Sequence, residues 1–201
     1  MKLILGVVLL SLVTHGACIK RPVEIITAEQ TLKKSNLVAV LPKLEKKFLI
    51  VFKLKLNSFS YGHRSVIHLT QGEDNVKYGD RIPGVWILKQ KLHVAFAING
   101  NKNEYFYSKP LPLDQWISVH IGQLGYPLKT IFEVSINHEK VYEVENLNAQ
   151  EFTNINVYAG DPWYEVQDGS IKNFFVYNFP VKTKKSLKKG AMQKKTFELE
   201  F

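Results

Sequence analysis

Three histidines, His68, His93 and His120, each stand at the polar position of an alternating apolar run. A strand sends alternate side chains to opposite faces, so the three imidazoles share one surface if their strands are neighbours. Such a group would bind zinc or respond to pH, whereas on separate surfaces they are ordinary polar residues. His63 and His138 fall in turns, and His15 falls near the N-terminus. A second constellation is Asp161-Pro162-Trp163-Tyr164, between two apolar runs. Flat rings in a loop on a rigid scaffold stack on the apolar faces of sugars or peptides, which makes Asp161, Trp163 and Tyr164 candidate ligand-binding residues. The competing reading has Trp163 tucked under the loop as a plug at one end of the core. A third is Gly72 to Asp80, with carboxylates at Glu73, Asp74 and Asp80. Calcium takes about six to eight oxygens and such a loop offers some of them. The spacing is not that of a dedicated calcium loop, and Lys77 and Arg81 can neutralise it as an ordinary turn. No Gly-x-Ser-x-Gly elbow, His-Glu-x-x-His pair or phosphate-binding glycine loop occurs.

The elements that must position these residues are strands. Phe48, Ile50, Phe52, Leu54 and Leu56 alternate with Leu49, Val51, Lys53, Lys55 and Asn57. Leu92 to Ile98, Ile117 to Ile121, Phe132 to Ile136, Val141 to Glu145, Ile155 to Ala159 and Ile171 to Phe179 continue the period-two pattern. Asn99-Gly100-Asn101 and Asn137-His138-Glu139-Lys140 supply turns. The best stretch for a helix is the short Thr27 to Lys34. Trp86 and Trp116 lie within strands and are expected in the core. Many short strands separated by turn residues predict an all-β, antiparallel two-sheet sandwich of the jelly-roll kind.

With 201 residues, 45% of them apolar, the chain holds one ordinary domain. Met1-Lys2 precedes the apolar run Leu3 to Val13, and small residues follow at Gly16, Ala17 and Cys18. This is the pattern of a secretory signal peptide over 1–18, too short for the roughly 20 residues of a membrane span. The chain is accordingly expected to be secreted and extracellular, with a body over 19–180, a tail over 181–201 and no transmembrane segment. The lone Cys18 excludes a disulfide framework, and it is retained or lost according to the cleavage point. The tail holds seven lysines against two glutamates, more than half of the formal charge of +9. The pairs Lys184 and Lys185, Lys188 and Lys189, and Lys194 and Lys195 suit a heparan-type polyanion or a solvated tail equally. Only Arg21, Arg64 and Arg81 are arginine, which with secretion argues against nucleic acid.

The runs Val66-Ile-His-Leu-Thr70, Tyr78-Gly-Asp-Arg-Ile-Pro-Gly-Val-Trp86, Leu113-Asp-Gln-Trp116 and Val134-Ser-Ile-Asn137 occur in this order. Phe152-Thr-Asn-Ile-Asn-Val-Tyr-Ala-Gly-Asp-Pro-Trp-Tyr164 and Gly169-Ser-Ile-Lys-Asn173 follow them. Together they resemble the concanavalin A-like, laminin G-like jelly rolls of extracellular animal proteins, over roughly 37–179. The resemblance implies a fold that hosts lectins, adhesion modules, calcium-dependent receptors and glycanases, so it does not choose a function. Calcium at a sheet rim is implied by the laminin G-like modules. Glycanases of this type carry Glu-x-Asp-x-x-Glu on a strand; the nearest acidic group here, Glu139, Glu143 and Glu145, lacks the Asp and the spacing. The expectation is a non-catalytic binding module for a glycan or an extracellular protein. A matrix or surface-coating protein acting through its basic tail is the alternative, and a glycan hydrolase or lyase comes third.

Overall fold

Every alternating run forms a strand in the computed structural model, which describes residues 21–125 and 129–179. The expected signal peptide with Cys18, and the lysine tail, lie outside the described residues. The strands are β1 (Val23–Ile26), β2 (Gln30–Thr31), β3 (Leu37–Leu44), β4 (Phe48–Leu56), β5 (Arg64–Thr70), β6 (Gly84–Leu88) and β7 (Lys91–Ile98). They continue with β8 (Asn101–Pro110), β9 (Trp116–Gly125), β10 (Thr130–Ile136), β11 (Glu139–Glu145), β12 (Phe152–Tyr158), β13 (Glu165–Val166) and β14 (Gly169–Asn178).

Two seven-stranded sheets result. Sheet A runs β1-β14-β4-β9-β10-β11 with β2 paired to β14; sheet B runs β3-β12-β5-β6-β7-β8 with β13 paired to β5. Pairing is antiparallel except for the two-residue β13, which runs parallel to β5. The hairpins β7–β8 and β10–β11 turn on Asn99-Gly100 and Asn137-His138, all with positive φ, the geometry whose twist matches the flanking strands. The second turn is therefore two residues long, and Glu139 and Lys140 already belong to β11. Thr27 to Lys34 contains no helix. Gln30 and Thr31 pair with Ile171 and Ser170, because that segment completes the edge of sheet A and its β-branched threonines fit a strand.

The inward residues of β4 meet those of β9, β7, β12 and β14 in one core. Phe96 sits near its centre, with its ring centroid 4.6 Å from Phe132, 5.7 Å from Phe48 and 6.5 Å from Phe152. Burying a side chain of this kind contributes roughly 1.5–3 kcal/mol.

The two outer faces differ. Along β4, buried residues alternate with more exposed ones, as expected of a sheet with one face towards water. In β5, β6 and β7 almost every residue is buried on both faces. Something covers the outer face of sheet B, and that second layer is where the polar residues gather.

Candidate functional site

The covering layer is a belt of rings crossing sheet B at right angles to its strands. Tyr158 on β12 stands in register with His68 on β5, Trp86 on β6 pairs with His93 on β7, and His93 pairs with Tyr107 on β8. Ring centroids follow at 6.0 Å from Tyr158 to Trp163, 5.1 Å from Trp163 to His68 and 5.4 Å from His68 to Trp86. Trp86 then lies 5.3 Å from His93, which stacks on Tyr107 at 4.4 Å. His63 and Tyr164 close the belt from the loops, 5.2 Å from His93 and 5.5 Å from Trp86 respectively.

Gly84 makes this arrangement possible. It shares the outer face with Trp86, two residues on, and a Cβ at Gly84 would sit 2.1 Å from the indole. Without one, the ring folds back over the strand and reaches His68. Trp86 is thus buried, as expected, but outside the inter-sheet core, with the Arg81 guanidinium 4.7 Å from its ring centroid. Trp116 departs further from expectation: it points outward from sheet A and is half-buried beneath lysines.

Asp161 is the hub of the belt. Gly160, at φ +97° and with Lys33 O where a Cβ would be, lets the chain turn sharply enough to bury it. Its Oδ1 accepts the main-chain N–H groups of Trp163 and Tyr164 at 3.0 and 2.8 Å, and its Oδ2 accepts Trp86 Nε1 at 3.2 Å. His68 Nδ1 lies 3.3 Å from Oδ2, while His68 Nε2 donates to Asp80 O at 2.7 Å. Burial opposes ionisation of Asp161, yet the hydrogen bonds from His68 and Tyr164 hold its carboxyl below the ordinary value. All of these bonds are internal, so Asp161 shapes the Trp163–Tyr164 loop from beneath.

Tyr164 donates its hydroxyl to Asp74 Oδ2 at 2.9 Å, and burial, followed by Asp74, pushes that hydroxyl up to about 12. Arg81 Nη2 meets both Asp74 oxygens at 3.0 Å, so Arg81 pairs with Asp74 across the loop. Asp80 is nearly buried and caps the loop by accepting the main-chain N–H groups of Val76 and Lys77 at 2.8 and 2.6 Å. Glu73 is exposed. The three carboxylates considered for calcium therefore have separate surroundings, and no three His, Cys, Asp or Glu side chains converge among the described residues.

His93 is the chemically unusual member. It is 6% exposed, and among the described residues neither ring nitrogen has a hydrogen-bond partner. Burial, then His63 and Arg81, lowers its value from 6.5 to about 4, so the ring is neutral at pH 7. His63 is lowered for the same first reason. Of the three strand histidines, His68 and His93 do share a face, with Trp86 between them. His120 belongs to sheet A and lies 5.3 Å from His138. The belt's open end is β8, an edge strand on which Tyr105 and Tyr107 are 55% and 40% exposed. Beside it a depression of about 480 Å³ is lined by Phe59, Tyr61, His63 and Lys89.

Asp161, Trp163 and Tyr164, expected from the sequence to meet a ligand, come together in the belt, but Asp161 is fully buried and holds the loop from within. His63, Gly84, Tyr105 and Tyr107 join the same face without having been singled out by the sequence as part of it. The usable signals were a glycine two residues before a strand tryptophan, and tyrosines at alternate positions of the polar strand β8. The glycanase-like carboxylates lie on the edge strand β11, with Glu139, Glu143 and Glu145 all exposed and Glu143 ion-paired to Lys140.

The sequence matches no established protein family and no curated relative. Among solved structures the chain is similar to the binding domain of botulinum neurotoxin serotype G, with 11% identity and a TM-score of 0.53 over 93% of this chain and 49% of that one. The receptor binding domain of botulinum neurotoxin D gives 14% identity and 0.54 over 89% and 46%. A second structure of the serotype D binding domain gives 15% and 0.51 over 82% and 42%. The chain spans less than half of each of these. At such identities the likeness is one of fold, an all-β sandwich. No helix among the described residues is long and apolar enough to cross a membrane.

Proposed function

We propose that the chain is a secreted, extracellular, non-catalytic binding module of the concanavalin A-like, laminin G-like jelly-roll type. It recognises a glycan or an extracellular protein at the outer face of sheet B and the adjoining rim loop. The observation that carries this reading is the ring belt. A sandwich needs one apolar core, and the belt is a second, polar-anchored aromatic layer outside it. Its hub fixes Trp163 and Tyr164 in place, so little ordering remains to be done on binding, and preorganisation of this kind favours affinity. Tyr105, Tyr107 and the half-buried Trp163 are the groups it offers to a ligand. That the similar solved structures are binding domains supports a binding role and leaves the ligand open.

A glycan array probed with the full chain, with and without calcium, tests the proposal. The expected result is retention of one saccharide class, weakened at least tenfold by Y105A/Y107A or W163A with circular dichroism unchanged. Absence of any saccharide or protein partner, or binding indifferent to all three positions, would overturn it. The concentration of lysine in 181–201 favours a second, weaker polyanion contact through the tail, which serine substitution at its six paired lysines would remove.

A further inference from the structure

Sheet A presents a different surface. On its outer face Lys53 stands opposite Lys172 on one side and Ser118 on the other, and Lys55 stands opposite Ser170 and Trp116. Neighbouring strands are about 4.8 Å apart, so three ammonium groups and one indole occupy two adjacent rows. Lys172 Nζ is 3.9 Å from the Trp116 ring centroid and Lys55 Nζ is 5.0 Å from it. Glu29 pairs with Lys55 at 3.0 Å, while Lys53 and Lys172 have no carboxylate within ion-pair distance among the described residues. Like charges placed directly opposite each other destabilise a sheet, and here the Trp116 ring and the nearby Glu29 ease the repulsion only at Lys172. Next to the rows lies a depression of about 320 Å³, lined by Lys53, Ser118, His120, His138, Asn173 and Phe175 among others.

We infer that this face is a second binding site, independent of the belt on sheet B, and that its ligand is an acidic saccharide bearing sulfate or carboxylate groups. The charge is matched by the anion, the indole by the apolar face of a sugar ring, and the hydroxyl, amide and imidazole groups of the depression by the sugar's hydroxyls. Three ammonium groups share the single carboxylate Glu29, which pairs with Lys55 and lies close enough to Lys172 to feel its charge, so the face keeps a net positive charge that a neutral sugar does not use. Lysine serves as well as arginine here, because a sulfate on a flexible sugar needs a nearby point charge more than a fixed fork. The lysine over Trp116 does not block the site. An exposed cation–π contact is weaker than a hydrogen bond between an ammonium and an anion. An arriving anion therefore draws the ammonium aside and opens the indole face for stacking.

The test is a titration of the full chain with a short sulfated tetrasaccharide, read by tryptophan emission, with its desulfated counterpart in parallel. Binding is expected to be at least tenfold weaker for the desulfated sugar and for K53A/K172A, whose side chains point outward and can be removed without disturbing the core. The emission change is expected to vanish in W116F and to persist in W163A. Wild-type affinity in K53A/K172A would assign the sulfated sugar to the tail or elsewhere and overturn the inference. So would equal binding of the desulfated sugar, or a signal abolished by W163A and kept by W116F, which would return the ligand to the belt.

Discussion

Replacing His93 by phenylalanine isolates the most unusual group of the belt. The native ring is 6% exposed, stacked on Tyr107 at 4.4 Å, and without a hydrogen-bond partner on either nitrogen among the described residues. Phenylalanine keeps the stack and removes both polar atoms. In the folded state burial and the neighbouring His63 and Arg81 hold His93 at about 4, against 6.5 ordinarily. A value lowered on folding means that the unfolded chain binds the proton more tightly. The stability tied to a neutral His93 is therefore complete above pH 6.5 and is lost as pH falls towards 4. The full difference corresponds to roughly 3 kcal/mol, and about 2 kcal/mol of it is lost between pH 8 and pH 5. Little solvent screening applies to a ring this buried. Thermal melts of wild type and H93F at the two pH values should then show wild type losing about 4–8 °C more than the variant on acidification, at about 2–4 °C per kcal/mol for a domain of this size. Titrations common to the two proteins cancel in that comparison. At pH 8, H93F should lie within about 1 kcal/mol of wild type, because relief of two unpaired polar atoms offsets some overpacking. Equal losses in the two proteins between pH 8 and pH 5 would mean that His93 titrates as an exposed or partnered imidazole and that its burial does not hold it neutral.

Three further outcomes follow from the same geometry. G84A places a Cβ 2.1 Å from the Trp86 ring and should cost about 1–3 kcal/mol in a denaturant titration, with a red shift in tryptophan emission as the indole leaves its seat. D161A strips partners from Trp86, His68 and two main-chain N–H groups and should cost about 3–5 kcal/mol. It should also remove the part of acid sensitivity that comes from a carboxyl held below its ordinary value, a contribution present at neutral pH and lost as pH falls through that lowered value. Because Asp74 and Asp80 already accept internal hydrogen bonds, adding EDTA or calcium should shift the melting temperature by less than about 2 °C, the equivalent of under 1 kcal/mol. A calcium-induced rise well above that would show that the loop is a metal site.

The strands of the core are legible in the amino-acid order alone. Period-two alternation in β4, β7, β9, β10, β12 and β14 is a local property, and the two-residue turns at Asn99-Gly100 and Asn137-His138 are set by residues that tolerate positive φ. It also singled out the loop from Asp161 to Tyr164 and the loop from Gly72 to Asp80, both of which border the belt. What it could not supply was partnership between distant strands. His68 and His93 read as two of three equivalent histidines until strand order put β5, β6 and β7 side by side and sent β9, with His120, to the other sheet. Trp86 and Trp116 read alike in their strands, yet one is enclosed by Gly84, His68 and His93 while the other carries Lys55 and Lys172. The physical reason is that alternation fixes which side chains share a face of one strand, whereas sheet order and register decide which strands share that face. Loop paths then decide whether the face is covered or wet. On sheet B the loops cover it and leave His93 neutral and unpartnered; on sheet A they leave the lysines in water.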